Sequence, residues 1–182
     1  MQLYYFDGEF ISDDLFPLLD ELSFKAREEI TIYFSSNGGD PSLSYVFADS
    51  LWKLTKNGVR IKIVFYNYVH SATLYFLHYT ARIKEDKVKT GLREAGTEIT
   101  WSFLETTWGA CHSITHTLDK EEDKVNYEVE TQITNRLNTF FLTYYAKKLT
   151  KPEKEAFKKG KEVIFDAVKL QKLFGGDIIK VN

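Results

Sequence analysis

The chain has 182 residues, of which 43% are hydrophobic and 27% charged, and this is typical of one globular domain and not of a disordered protein. Its 24 Lys and Arg against 26 Asp and Glu give a net charge of -2, which argues against a dedicated nucleic-acid binder. The apolar runs are much shorter than the roughly 20 residues that span a bilayer, and the first residues lack a signal-peptide pattern. A single cysteine, Cys111, cannot form an internal disulfide, so we expect a cytoplasmic protein. No membrane partner is expected, since the apolar runs are too short to span a bilayer.

The first half of the chain alternates between strand and helix patterns. Strands rich in β-branched and aromatic residues are predicted at Gln2–Phe6, Ile30–Phe34 and Arg60–Tyr66. Helices are predicted after Asp13 and Asp14, over Leu43–Leu54, and from Ser71 to Arg82. Because such an alternation joins parallel strands through crossover helices, we expect a parallel sheet and an α/β fold.

The second half is less regular and contains one long helical pattern. A strand is predicted at Ile99–Leu104, and residues 105–117 show no clean period. From Asp119 to Leu149, apolar residues recur every three or four positions, which predicts a helix longer than most globular helices. A charged helix, a short helix and a strand are then predicted at Lys151–Lys161, Asp166–Leu173 and Ile178–Val181. We interpret residues 1–182 as a single domain, with the long helix at about 119–149 as an appendage.

Two strand-to-helix turns carry the residues that point to chemistry. Ser35-Ser36-Asn37-Gly38-Gly39 follows a buried strand, where open α/β sheets bind their ligands, and adjacent glycines can aim backbone N–H groups at a developing negative charge. His70-Ser71-Ala72-Thr73 follows the next strand, so the Ser71 hydroxyl would lie at a helix N-terminus beside amides that stabilise an anion. Taken alone, the first turn favours a tight connection without a ligand, and the second favours a simple helix cap by Ser71.

Together, the two turns and the elements around them resemble the ClpP family of self-compartmentalised serine peptidases. The family reads strand, Asn-Ser-Pro-Gly-Gly, helix with Tyr-Asp, strand, Ala-Ser-Met-Gly, helix. The corresponding stretches here are Ser35-Ser36-Asn37-Gly38-Gly39, Phe47-Ala48-Asp49 and His70-Ser71-Ala72-Thr73. The long helix falls where the family has its handle, and Phe165–Ile179 falls where it has its C-terminal helix and strand. The resemblance implies an α/β, ClpP/crotonase-like fold, a spiral of βαβ units with a long protruding handle helix.

The resemblance also assigns roles to individual residues. Ser71 occupies the place of the nucleophile, and the backbone N–H groups of Gly38 and Ala72 occupy the places of the oxyanion hole. The third triad member of the family is an aspartate shortly before the C-terminal helix. Glu162 falls nearest to that position, with Asp166 as a neighbour.

The position of the family's catalytic histidine is the main departure. The best local match to Met-Ile-His-Gln-Pro places Glu105 at the histidine position, and a register shifted by three places Ser102 there. A carboxylate with an ordinary pKa of about 4.3 is a poor base for a serine hydroxyl, so impaired or absent activity is favoured. His112 and His116 lie just beyond this stretch and are the alternative bases.

The remaining histidines and the cysteine are interpreted as structural. His70 is adjacent to Ser71, and consecutive side chains diverge, so we expect His70 to pack or to line the cleft. His78 lies two turns along the same predicted helix, roughly 10 Å away, which is too far for a hydrogen bond. Cys111 is expected to be inert.

Three functions remain open on this evidence. The first is a ClpP-like peptidase subunit or a degenerate homologue, and the second is a catalytically inactive structural or regulatory ring subunit. The third is an acyl-CoA enzyme of the crotonase type, for which Glu105 is the acidic candidate. The resemblance implies a homo-oligomer of stacked rings, an ATPase unfoldase partner and a peptide substrate if the site is active. No cofactor, metal or nucleic acid is predicted, since the pair His112 and His116 lacks a third metal ligand.

Overall fold

The strands and helices belong to two units of the chain. The computed structural model describes residues 2–25, 28–89, 99–112 and 124–181. The first unit contains Met1–Ala110 and Ile164–Asn182, and the second contains Cys111–Val163. The interpretation of the chain as a single domain therefore stays a prediction.

Parallel strands alternate with helices through most of the first unit. The described strands are β1 (Gln2–Phe10), β2 (Glu29–Gly39), β3 (Arg60–His70), β4 (Ile99–Leu104), β5 (Trp108–Cys111), β6 (Val163–Asp166) and β7 (Asp177–Ile179). The described helices are α1 (Ser12–Lys25), α2 (Pro41–Lys56), α3 (Ala72–Lys89), α4 (Lys124–Tyr145), α5 (Lys151–Lys158) and α6 (Ala167–Phe174). The sheet runs in the order β1-β2-β3-β4-β7 with parallel pairing along this path, which confirms the α/β prediction.

Aromatic side chains fill the space between the sheet and helices α2 and α3. Phe34 of β2 stacks on Phe6 of β1 with ring centroids 4.7 Å apart, and it also contacts Phe47 of α2 at 5.5 Å and Phe76 of α3 at 5.9 Å. Each of these four rings is buried. Because buried apolar area is the main favourable term in folding, this cluster holds both helices against one face of the sheet.

Three strands extend further than the sequence predicted. Strands β1, β2 and β3 were expected to end at Phe6, Phe34 and Tyr66, and they continue to Phe10, Gly39 and His70. The extra residues still pair across the sheet, since Ser36 pairs with both Gly8 and Val69. The predicted ends were wrong because polar and glycine residues signal a turn locally, whereas backbone pairing does not depend on the side chain. The two motif turns therefore lie on a continuing ladder.

Two short strands were not predicted. Strand β5 has four residues and contains Gly109 and Ala110, which are weak strand formers, and β6 is also only four residues long. Strand β5 pairs with β3 and with β6.

The long predicted helix corresponds in its described part to α4. Helix α4 ends at Tyr145, earlier than the predicted Leu149, and residues 119–123 of the prediction lie outside the described residues. Thr150 then caps α5 through a capping box with Glu153. Phe141 of α4 stacks on Phe157 of α5 with ring centroids 5.4 Å apart, so one face of α4 is buried in the second unit. Within the described part of the chain, none of the helices combines the length and apolar character needed to cross a membrane.

Candidate active site

The two motif turns meet in the first unit. A Cβ atom built on Gly38 would lie 2.6 Å from Ser71 Cβ, 3.2 Å from the His70 carbonyl oxygen and 3.3 Å from the Ala72 nitrogen. Gly38 has φ +110°, a conformation that favours glycine. A side chain is thus excluded at residue 38 by its own backbone and by the serine. The structure brings together Gly38, Ser71 and Ala72, although 33 positions separate the first two in sequence.

Ser71 connects β3 to α3 in a strained backbone conformation. Its φ is +45°, in the left-handed region, which costs a non-glycine residue about 1–2 kcal/mol. Its N–H donates to the Ala110 carbonyl at 2.9 Å, and its own carbonyl accepts the Leu74 N–H at 2.9 Å. These two backbone bonds hold the turn and leave the half-buried Ser71 side chain at the junction of strand and helix. A serine on a sharp, strained strand-to-helix turn is the arrangement that presents the nucleophilic hydroxyl in α/β-hydrolases.

Two backbone amides lie next to this serine. Ala72 is the first residue of α3, and a first-turn amide has no acceptor inside its own helix. The Gly38 N–H donates to Ser36 Oγ at 3.1 Å. The positive end of the α3 dipole adds to the preference of this region for negative charge.

Of the two residues predicted at the base position, one lies in β4 and the other directly follows it. Ser102 is buried and pairs with Val64 of β3. Val64 precedes Ser71 by seven positions, which at about 3.3 Å per residue is at most about 23 Å. Glu105 directly follows β4 and is exposed. Its N–H donates to the Ile179 carbonyl at 2.9 Å, and its carboxylate accepts the Val181 N–H at 3.0 Å. Glu105 therefore forms hydrogen bonds with the end of β7 and with the residues that follow it.

The register of the sheet identifies the segment that lies level with Ser71. Phe65 of β3 pairs with Phe103 of β4. After an irregular stretch, the ladder resumes between Tyr68 and Trp108 of β5, and the next bond joins Ser71 to Ala110. The neighbour of Ser71 in this ladder is accordingly the end of β5, and not the end of β4.

Among the described residues, the second unit contains two of the predicted site residues, His112 and Glu162. His112 is half-buried and directly follows Cys111, the last residue of β5. Burial raises the pKa of the Cys111 thiol, and the carboxylates of Glu153 and Glu162 raise it further. The charge of Glu162 therefore acts at the end of β5. His116 lies outside the described residues.

The other two histidines of the first unit belong to packed surroundings. The His70 ring contacts Trp108 edge-on with centroids 4.5 Å apart and lies 5.4 Å from the Tyr68 ring. His78 is buried in α3, where burial and then Arg82 lower its pKa from 6.5 to about 4. His78 is thus neutral at pH 7.

The described residues show no group of three or more His, Cys, Asp or Glu side chains arranged to hold a metal ion. A cavity of about 380 Å³ lies between α3, β4 and α6, and its lining contains none of the predicted site residues. Its walls are mainly apolar, and they include Lys84, which lies 4.9 Å from the centroid of the Trp101 ring.

Among solved structures, the chain is similar to a mutant of ClpP1 from Listeria monocytogenes, with a TM-score of 0.60 and 16% identity, and the match covers 100% of this chain and 92% of that chain. No protein-family model and no curated protein matches the sequence. At this identity the likeness concerns the fold, and it agrees with the parallel sheet and the meeting of the two turns described above. The chain has a ClpP-like α/β fold.

Proposed function

We propose that this chain is a ClpP-like serine peptidase subunit in which Ser71 is the nucleophile. The observation that carries the proposal is the approach of Gly38 to Ser71, at a distance that leaves no room for a side chain. Such an approach sets a hydroxyl beside the backbone of a glycine turn and beside Ala72 at the start of a helix. Acyl transfer needs a nucleophile and amide donors within one small volume.

His112 is the base in this proposal. The ladder bond from Ser71 to Ala110 supports it, because His112 follows Ala110 by two residues and two extended residues span at most about 7 Å. Glu105 is disfavoured as the base since its carboxylate holds the Val181 N–H. An imidazole is also a better base for a serine hydroxyl than a carboxylate is.

Glu162 is the residue that orients His112 in this proposal. Its support is the resemblance, because Glu162 falls nearest to the position of the family's third triad member, an aspartate shortly before the C-terminal helix. A glutamate can replace aspartate in this role, because the requirement is a carboxylate that fixes the imidazole tautomer and stabilises the imidazolium.

The proposed reaction follows from these roles. Ser71 Oγ attacks the substrate carbonyl carbon while its proton passes to His112, and the carbonyl oxygen becomes an oxyanion held by the amides of Gly38 and Ala72. The proton on His112 then passes to the leaving amine as the C–N bond breaks. Water releases the acyl group in a second step that uses the same base.

The test is covalent labelling of the folded protein with a fluorophosphonate probe. We expect labelling of the wild type, none in Ser71→Ala, and a loss of about 100-fold or more in rate for His112→Ala. Glu105→Gln and His116→Ala are the matched controls for the other base positions, and neither should slow labelling. Complete resistance of a folded wild type overturns the proposal, and loss only in His116→Ala reassigns the base.

A catalytically inactive ring subunit is the second candidate. One observation favours it: the Gly38 N–H already has an acceptor in Ser36 Oγ, so one oxyanion donor is engaged in the chain as described. A folded wild type that resists the probe under all conditions would favour this candidate.

Self-assembly is part of the same proposal. Helix α4 lies where the ClpP family has its handle helix, so we expect α4 to be the segment that contacts a second copy. Sedimentation of the wild type is expected to give a mass well above one chain, and a monomer overturns the assembly. A separate ATPase would be the partner that delivers unfolded peptide, because the sequence contains no phosphate-binding loop.

A further inference from the structure

A buried hydroxyl binds the backbone amide that the proposed oxyanion hole requires. The Gly38 N–H donates to Ser36 Oγ at 3.1 Å, and Ser36 Oγ in turn lies 3.4 Å from the Gly38 carbonyl oxygen. We infer that Ser36 is a positioning residue that competes with the substrate oxyanion for the Gly38 N–H and so sets the rate of acylation. This inference rests on the proposed function and concerns the same site.

The competition follows from hydrogen-bond geometry. A single N–H makes one well-aligned bond, and bonds weaken steeply when the angle at hydrogen departs from linearity. An amide aimed at Ser36 Oγ is therefore poorly aimed at an oxyanion on a carbonyl attacked by Ser71. The substrate must share this hydrogen or replace Ser36 as its acceptor.

Burial makes the Ser36 contact persistent. Ser36 is 1% exposed, and its ladder neighbour Val69 is fully buried, so solvent does not replace the hydroxyl when the contact breaks. A buried N–H without an acceptor is disfavoured by a factor on the order of 5 to 150 in population. The hydroxyl thus stabilises the orientation of the Gly38 amide that is less suited to catalysis.

The backbone at this turn has the freedom to change that orientation. Gly38 and Gly39 have φ of +110° and +121°, conformations that only glycine adopts readily. A change in the peptide between Asn37 and Gly38 redirects the N–H without moving Ser71. The second amide, at Ala72, is held by the start of α3 and has no such freedom, so the Gly38 amide is the adjustable donor.

The experiment compares fluorophosphonate labelling rates of the wild type, Ser36→Ala, Ser36→Thr and Ser35→Ala. Ser36→Ala removes the competing acceptor and is expected to label about fivefold or more faster than the wild type. Ser36→Thr keeps a hydroxyl and is expected to return the rate to the wild-type range. Ser35→Ala is the matched control, because Ser35 is fully buried and its hydroxyl has no hydrogen-bond partner among the described residues. It should leave the labelling rate unchanged.

Amide hydrogen exchange at Gly38 provides a readout that does not need activity. Ser36→Ala should accelerate exchange of this amide relative to the wild type, and Ser35→Ala should not. Thermal melting of each variant separates these effects from a general loss of stability.

The outcomes separate this inference from the proposed function. If the wild type labels and Ser36→Ala labels no faster than Ser35→Ala, the inference is overturned and the peptidase proposal stands. If only Ser36→Ala labels, the role of Ser36 is supported, and the peptidase proposal fails for the wild type. If neither labels, the peptidase proposal fails, and unchanged exchange at Gly38 in Ser36→Ala then overturns the role of Ser36 as the acceptor.

Discussion

A methyl group added at Gly38 tests the approach of the two turns most directly. In Gly38→Ala, the new Cβ would lie 2.6 Å from Ser71 Cβ, closer than unbonded carbon atoms approach, and the φ of +110° is unfavourable for alanine. The backbone conformation costs about 1–3 kcal/mol. The steric conflict adds about 1–3 kcal/mol through displacement of the surrounding backbone. We expect a decrease of roughly 2–6 kcal/mol in the free energy of unfolding, measured by chemical denaturation.

Gly58→Ala is the matched control for this change. Gly58 also has a positive φ, +85°, but a Cβ there meets no atom within 4 Å. This control shares the backbone cost and lacks the steric conflict, so the difference between the two variants isolates the contact with Ser71. Equal destabilisation in the two variants would refute the proximity of Gly38 and Ser71.

A double-mutant cycle refines the same test. Ser71→Gly removes the opposing Cβ and relieves the φ of +45°, so alone it should stabilise the fold by about 1 kcal/mol. Combined with Gly38→Ala, it should recover part of the lost stability, with a coupling of about 0.5–3 kcal/mol. The recovery is partial because the His70 carbonyl and the Ala72 nitrogen remain within 3.4 Å of the new methyl group. Additive effects would contradict a direct contact.

Three further predictions concern groups outside the motif turns. Burial lowers the pKa of His78 to about 4, so below pH 6.5 the unfolded chain binds a proton that the folded chain does not. The free energy of unfolding should therefore fall by roughly 3 kcal/mol as the pH decreases from 6.5 to 4. Denaturation curves at several pH values should show that His78→Leu removes this contribution. Thr107→Val removes a buried hydroxyl that donates to the Phe65 carbonyl at 2.9 Å, and it should lower the free energy of unfolding by about 1 kcal/mol; an unchanged denaturation midpoint would show that this bond contributes nothing. Cys111 is buried with a raised thiol pKa, so a thiol reagent should modify it only in denaturant, and rapid modification of the native protein would contradict its burial.

The residue patterns alone predict the kind of fold and the residues at its centre. Alternating strands and helices indicate the parallel sheet because the two periodicities are local properties of the chain. Gly38 and Ser71 stand out because each marks an interruption between a buried strand and a helix. The sequence also predicts their meeting, since the carboxyl ends of parallel strands share one edge of a sheet.

The identity of the residues beside Ser71 depends on strand register. The resemblance places Glu105 at the base position, because the stretch around it is the best local match to the family motif. The bond from Ser71 to Ala110 and the pairing of Tyr68 with Trp108 place the end of β5 level with the serine. The register between β3 and β5 follows from pairing and packing of segments about 40 positions apart in sequence. It cannot be predicted from the four residues Trp-Gly-Ala-Cys of β5 alone. The sequence also does not predict the acceptor of the Gly38 N–H. A serine two residues before a glycine is compatible with many turn types, and only the backbone angles of this turn bring the Ser36 hydroxyl to the Gly38 N–H.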